Sequence, residues 1–256
     1  MNLRETQEQT ELKVLSQYAT KAALSEGRLR FEEQCPGRTV FQRDCDRIIH
    51  SKAFRRLMHK TQVFLAPFDD HFRTRLTHTL EVSAIARAIA RGLKLNENLE
   101  EAIALGHDLG HTPFGHAGES VLNEMCEEGF SHSRQSLRVV DVLESKKGLN
   151  LTMEVRDGIL NHSGKDIAYT PEGKVIKFAD RIAYINHDIE DAVSAGILKA
   201  SELPRKYTDI LGSSRRERIN NMIENIVENS KDSPDIKMSD EFYKAMMGLR
   251  EFLFER

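Results

Sequence analysis

The chain has no run approaching the ~18–20 apolar residues that a membrane-spanning helix needs, so no membrane partner is expected. Its first residues, Met1 to Thr10, are polar and lack the apolar core of a secretory signal. Three cysteines, Cys35, Cys45 and Cys126, are odd in number and lack zinc-finger spacing. Without a signal they read as reduced thiols of a cytoplasmic protein. A formal net charge of −3 gives no global argument for nucleic-acid binding. Alternating apolar and polar residues, the mark of a half-buried strand, are almost missing. Internal repeats and low-complexity runs are absent as well. What remains is an all-α reading.

The 256 residues suffice for one or two domains with a real core. Apolar content of 39% and charged content of 30% describe a soluble globular chain. Charge and chemistry are unevenly spread. Eight of the ten histidines fall between His50 and His132, and Arg43 to Arg75 is rich in Arg and Lys. The densest stretch is His107-Asp108-Leu109-Gly110-His111-Thr112-Pro113-Phe114-Gly115-His116. An adjacent His-Asp pair offers one neutral nitrogen and one charged oxygen to a divalent cation, and needs further ligands from elsewhere.

Taken in order, residues 1–37 read as a tail leading into an amphipathic helix through Leu12, Leu15, Ala19, Ala22 and Ala23, with Gly27 as its stop. Residues 38–196 hold the histidines and form the expected catalytic core. Within it, Arg43 to Met58 has helical spacing, with Ile48, Ile49, Phe54 and Leu57 inward. Its arginines suit a solvated face with carboxylate partners better than a wall for phosphate. Thr61 to Phe64 is a short apolar step and Pro67 opens a loop. Arg73 to Gly92 is a strong helix: Val82, Ile85, Ala86, Ile89 and Leu93 share a stripe that includes His78, with Gly92 marking the end. Asn98 to Asp108 is the next helix, and His107 continues the face of Ile103. His116 and Glu119, three residues apart, open another helix; a further one spans Ser133 to Leu143 and another Met153 to Asn161. Thr170-Pro171-Glu172 starts a long helix to about Gly196. On it Asp180, Tyr184 and Asp188 line one face. Residues 197–256 form a C-terminal helical subregion, with helices from Ser214 and Ser239. The chain stops at Arg256 within an apolar pattern, so further helices are expected in a longer protein.

His78, His107, Asp108 and Asp180 each adjoin an apolar stripe, and together they suit one divalent ion with open positions for water and substrate. This pattern resembles the HD-domain superfamily of metal-dependent phosphohydrolases. Longer stretches, Arg43 to Ser51, Ala53 to Leu57, Thr61 to Phe64, Arg73 to His78, His107 to His116 and Ala179 to Asp188, are similar to the deoxyguanosine triphosphate triphosphohydrolase branch. The resemblance implies an HD-domain helical bundle that hydrolyses deoxynucleoside triphosphates to deoxynucleoside and inorganic triphosphate. It implies one metal ion (Mn, Fe, Ni, Co or Mg) on His78, His107, Asp108 and Asp180. It implies His116 as the acid for the departing 5′-oxygen, tuned by Glu119 and assisted by His132. Arg75, His111 and Arg181 are then phosphate contacts. Gln62, Tyr184 and Asp188 read the deoxyribose, and a homo-oligomer is expected. The alternatives are another HD-domain nucleotide phosphohydrolase, or a weakly active nucleotide or single-stranded DNA sensor that uses the basic Arg43 to Arg75 segment.

Overall fold

The computed structural model describes residues 1–62 and 73–255. Val63, Phe64 and Pro67 lie outside the described residues. The rest is all-α. The helices are α1 (Leu3–Val14), α2 (Val40–Ile49), α3 (Lys52–Arg56), α4 (Arg75–Leu93), α5 (Glu97–Gly106), α6 (Gly115–Met125), α7 (His132–Arg138), α8 (Met153–Asn161), α9 (Pro171–Ser194), α10 (Arg205–Leu211), α11 (Arg215–Ser230) and α12 (Asp240–Phe254). The described residues contain no strand, only isolated bridges at Arg28–Thr152 and Thr61–Thr74.

At the centre, α4, α5, α8 and α9 pack on one another, with α2 against α5 and α7 against α8. On the other side α11 lies on α4 and α9, and α12 on α9 and α10. A continuous apolar cluster runs from Ala19 and Phe41 through Val82, Ile103, Ile159 and Ile182 to Met222 and Met246. Local signals place the ends. Thr74 caps α4 by accepting from the Thr77 amide, and Asn96 caps α5 through the Asn98 and Leu99 amides. Thr170 and Pro171 open α9 as their chemistry suggests.

Several boundaries differ from the sequence pattern. The first helix lies earlier, because Asn2 and Glu5 form a capping box. Beyond it the backbone turns to tertiary partners: Ser16 N–H donates to the Lys94 carbonyl, and the Thr20 amide and hydroxyl donate to Glu172. The stretch from Arg43 to Met58 breaks at Ser51, whose side chain caps α3, and Ile49 is exposed. Gly92 does not stop α4; the chain turns left-handed at Lys94 instead. A Cβ on Gly92 would lie 2.6 Å from Val227 Cγ2, so this glycine admits α11. The helix through Leu143 widens to a π-turn after Arg138.

Glycines set three of the closest approaches around the histidines. A Cβ on Gly106 would meet Ile159 Cδ1 at 2.5 Å, and one on Gly158 would meet Ile103 Cδ1 at 2.5 Å, so each glycine of the α5–α8 crossing makes room for an isoleucine of the other helix. Gly110 faces backbone, with Ser136 N 2.1 Å from such an atom and the His132 carbonyl 2.8 Å away. Backbone cannot swing aside as a side chain can. Gly110→Ala is therefore expected to displace α7 and cost ~1–3 kcal/mol, a fall in Tm of roughly 2–12 °C. Gly37→Ala, with nothing within 4 Å of the new atom, should leave Tm unchanged. Thermal unfolding of the two variants side by side checks this.

Candidate metal centre

Helices α4, α5 and α9 deliver His78, His107, Asp108 and Asp180 to one place. His78 lies on the first turn of α4, on the buried face that Val82 continues. His107 caps the C-terminus of α5, and Asp108 follows it into a tight turn. Asp180 projects from the third turn of α9. His78 Nε2 is 3.1 Å from Asp180 Oδ1 and 3.9 Å from Asp108 Oδ2. His107 Nε2 is 3.7 Å from Asp108 Oδ1 and 3.9 Å from Asp180 Oδ1. His78, His107 and Asp108 are buried, and Asp180 keeps some exposure.

Hydrogen bonding decides which ring nitrogens carry protons. His107 Nδ1 is 2.6 Å from the Ala104 carbonyl, which can only accept, so Nδ1 bears the hydrogen and Nε2 a lone pair. That Nε2 is buried with no hydrogen-bond partner. His78 Nδ1 is 2.9 Å from His187 Nε2, and His187 Nδ1 faces Asp188 Oδ1 at 3.1 Å. The Asp188 carboxylate fixes the His187 proton on Nδ1, so His187 Nε2 accepts from His78 and the His78 lone pair also turns inward. Two imidazole lone pairs converging on two carboxylates require a positive charge between them. The residues fit a divalent cation, and Mn, Fe, Co, Ni and Mg all accept this donor set.

Asp108 is buried, which opposes ionisation, yet the Arg75 guanidinium beside it holds it well below the usual carboxylate range. Arg75 donates Nη1–H to Asp108 Oδ2 at 2.7 Å, while its Nε is buried and unpaired. Asp180 is likewise held below that range against the penalty of its burial.

A second group of histidines adjoins the first. Glu119 Oε1 accepts from the His132 amide at 2.7 Å and faces His132 Nδ1 at 2.8 Å; Glu119 Oε2 is 3.4 Å from His116 Nδ1. Burial opposes the Glu119 charge, but the bonds from His116 and His132 keep it ionised far below the ordinary range. His116 is largely exposed, whereas His132 is half-buried. The His111 ring stacks on His132 with centroids 4.7 Å apart, and burial lowers its pKa to about 3, so it stays neutral. On α9, Tyr184 is half-buried and its hydroxyl is pushed up to about 12, chiefly by burial. Asp188 lies a turn further on, tied to His187. Gln62 is buried with an unpaired Oε1, and its backbone carbonyl runs beside Gly115. Arg181 points to the Tyr243 hydroxyl at 3.4 Å on the protein's flank. The basic segment is mostly committed: Arg43 and Arg47 bind Glu32, and Arg73 binds Glu81, Glu190 and Asp191.

Three residues of this neighbourhood carried no functional expectation. His162 caps the C-terminus of α8, 1% exposed, its Nε2 3.0 Å from His132 Nε2. Its signal is phase: it follows Val155 and Ile159 on one helical stripe. His187 backs His78 from the next face of α9. Lys60 holds the turn after Asp108 through the His111 carbonyl at 2.6 Å; its pKa falls to about 8, mainly by burial.

A family model described as "HD domain" matches residues 75–185. A "Deoxyguanosinetriphosphate triphosphohydrolase-like protein" of Caldanaerobacter subterraneus subsp. tengcongensis is 60% identical over 257 residues, covering 100% of this chain and 76% of its own. One from Desulfatibacillum aliphaticivorans is 53% identical, covering 99% of this chain and 76% of its own. The chain belongs to this HD-domain family of deoxyguanosinetriphosphate triphosphohydrolase-like proteins. It spans about three quarters of the length of these relatives. The solved structure of a hypothetical protein from Aquifex aeolicus shares the fold, with a TM-score of 0.52 and 23% identity over 83% of this chain and 55% of that one. Membership in the HD family and the clustered donors describe a metal-dependent phosphohydrolase. No described helix is long and apolar enough to cross a membrane.

Binding of an ion to the folded state alone raises stability, by about 2.7 kcal/mol at a hundredfold excess over Kd. Adding Mn²⁺ to chelator-stripped protein is therefore expected to raise Tm by several degrees, and Asp180→Ala to lose most of that rise. An unchanged response in the variant would remove Asp180 from the ligand set.

Proposed function

We propose that the protein hydrolyses deoxynucleoside triphosphates to deoxynucleoside and inorganic triphosphate, with His78, His107, Asp108 and Asp180 holding the divalent ion. The observation that carries this reading is the order of groups along α9 and beside it: ion ligands, then a Glu119-backed histidine on one side and a Tyr184–Asp188 face on the other. When bound, the ion supplies charge neutralisation and Lewis acidity at the α-phosphate. The chain's own residues do the rest. Arg75 orients Asp108 through Nη1 and keeps its unpaired Nε for a phosphate oxygen. His111, neutral at working pH, donates a hydrogen bond rather than charge to the triphosphate. Arg181 reaches the outer phosphates from the flank. As a water oxygen bonds to the α-phosphorus and the bond from phosphorus to the 5′-oxygen breaks, His116 protonates that departing oxygen, and the water's proton leaves with the triphosphate or to solvent. Glu119 anchors that ring, and His132 assists by gripping Glu119 through both its ring and its amide.

The sugar is read one and two turns past Asp180, roughly 6 and 12 Å along the helix at ~1.5 Å per residue. Asp188 accepts from the 3′-hydroxyl, and Gln62, whose buried side-chain Oε1 has no partner, adds a second polar contact. Tyr184 fills the space beneath C2′. The family resemblance supports a cytoplasmic homo-oligomer as the working form.

The test is a panel of the four deoxynucleoside triphosphates with Mn²⁺, scored for inorganic triphosphate. Stepwise release of single phosphates would replace this reading with another phosphohydrolase activity. In the same assay His116→Ala is expected to keep the ion and lose rate by about 10²–10⁴, the usual share of a general acid. If His116→Ala strips the metal instead, His116 is a ligand and not the acid.

For the sugar, dGTP should be hydrolysed and GTP refused. Filling a packed site with an extra atom costs ~1–3 kcal/mol, so Tyr184→Ala should relax the preference by roughly tenfold or more. Discrimination that survives Tyr184→Ala intact would take the role away from Tyr184.

A further inference from the structure

A line of hydrogen bonds runs from the buried end of α8 to the exposed ring of His116. His162, 1% exposed, lies through Nδ1 2.7 Å from the Ile159 carbonyl. That oxygen only accepts, so Nδ1 carries the hydrogen and Nε2 a lone pair. His132 Nε2 stands 3.0 Å from this lone pair, and His132 Nδ1 stands 2.8 Å from Glu119 Oε1. His132 therefore donates from both nitrogens, to an imidazole on one side and a carboxylate on the other. Glu119 also accepts from the His132 amide, and its Oε2 faces His116 Nδ1 at 3.4 Å. The electrostatics agree with this order of protons. Burial lowers the His162 pKa to about 3 and keeps that ring neutral. Burial also opposes a charge on His132, but the bond to Glu119 outweighs it and raises the pKa.

The helix at the far end of this line is poorly packed. Within α6 only Gly115 is buried. Val121 and Met125 are exposed, as is Phe114 just before the helix. The Thr112 hydroxyl donates to the Gly115 carbonyl and ties down the first residue. Most helices in proteins are held by an apolar face. With so little of one, α6 depends on polar bonds to set where His116 and Glu119 stand. The Glu119 carboxylate takes its direction from the His132 amide and ring. His162 is the fixed end: α8 packs on α5, Ile159 lies in the core, and Nδ1 is tied to its own last turn.

We infer that His162 is a positioning residue: its Nε2 accepts the His132 Nε2–H, and the pair so formed orients Glu119 and, through it, the ring of His116. The inference rests on the reading of His116 as the group that protonates the departing oxygen. His162 acts through His132 and needs no contact with substrate. A neutral acceptor suits the place. A carboxylate there would add a third anion to Asp108 and Asp180, whose charges His132 already feels. An apolar side chain would leave the His132 N–H unpaired, which costs more than the bond itself contributes.

Protein labelled with ¹⁵N in its histidine rings, read by proton–nitrogen correlation NMR, reports this bond without turnover. The wild type is expected to show a His132 Nε2–H signal protected from exchange, identified by its loss in His132→Gln. His162→Gln, whose amide oxygen can take the place of Nε2, should keep the signal. His162→Leu, with no acceptor, should lose it. In the hydrolysis assay His162→Leu is expected to lose kcat by roughly ten- to a hundredfold, the range carried by one hydrogen bond to a charged group. KM and Mn²⁺ affinity should stay unchanged, and His162→Gln should recover most of the rate. Absence of the signal from the wild type, its survival in His162→Leu, or full rate in His162→Leu overturns the inference. So does weaker Mn²⁺ binding in His162→Leu, because His162 then acts on the His107 ring, 5.0 Å away between centroids. Should His162→Leu not fold, His162→Met carries the same readouts. Release of single phosphates by the wild type overturns the triphosphate reading alone, since the kcat of that reaction then ranks the same variants.

Discussion

Everything around the centre depends on where four imidazole protons are held. An imidazole can ligate an ion or accept a hydrogen bond only through a nitrogen that carries no hydrogen, so the other nitrogen must be occupied by an acceptor. Ala104 and Ile159 provide that acceptor from carbonyls that a helix end leaves without an intrahelical partner. His78 uses a longer chain, through His187 to Asp188, and Glu119 holds the Nδ1 hydrogen of His132. The unpaired carbonyls of these helix termini, ordinarily a cost, here fix the ring orientation and tautomer of His107 and His162.

Such fixtures work only if the helix ends meet. The α5–α8 crossing brings the His107 and His162 caps together because Gly106 and Gly158 leave room for Ile159 and Ile103. Gly110 then lets the backbone of α7 approach the turn after Asp108, and this carries His132 to within reach of His162. The small residues near the histidine stretch are therefore part of the ligand geometry. A side chain at any of them would move a ring, and a shift of 1 Å is large against a metal–nitrogen bond of ~2.1 Å.

That His78, His107 and Asp180 would come together was legible because each adjoins an apolar stripe, His78 with Val82, His107 with Ile103 and Asp180 within the face that Ala183 and Ile182 flank, and Asp108 follows His107. Periodicity reports burial, and a buried ligand-type residue stands out against it. His162 and His187 sit on stripes equally well, but their meaning comes from partners 30 and 109 residues away, which spacing along one helix does not encode. Gly92 was misread for a related reason. A glycine that stops a helix and one that admits a neighbour look the same in one dimension, and only Val227 distinguishes them. The arginines of α2 read correctly as a paired face, although their partner, Glu32, lies before the helix rather than on it.

Charge decides what a polyanionic substrate would require of this site. Around the candidate ligands the two ionised carboxylates of Asp108 and Asp180 stand against the single guanidinium of Arg75, which leaves one net negative charge. His111 and His162 do not offset it, since burial lowers each to about 3 and both stay neutral near pH 7. A triphosphate arriving at this set of donors alone meets repulsion in a poorly hydrated place, where charges are weakly screened. One divalent ion reverses the sign of the site, and Lys60 and Arg75 then add to an attraction rather than merely reduce a repulsion. His111 and His162 therefore serve through lone pairs and hydrogen-bond direction and not through charge, and cationic work at such a site falls to Arg, Lys and a bound metal.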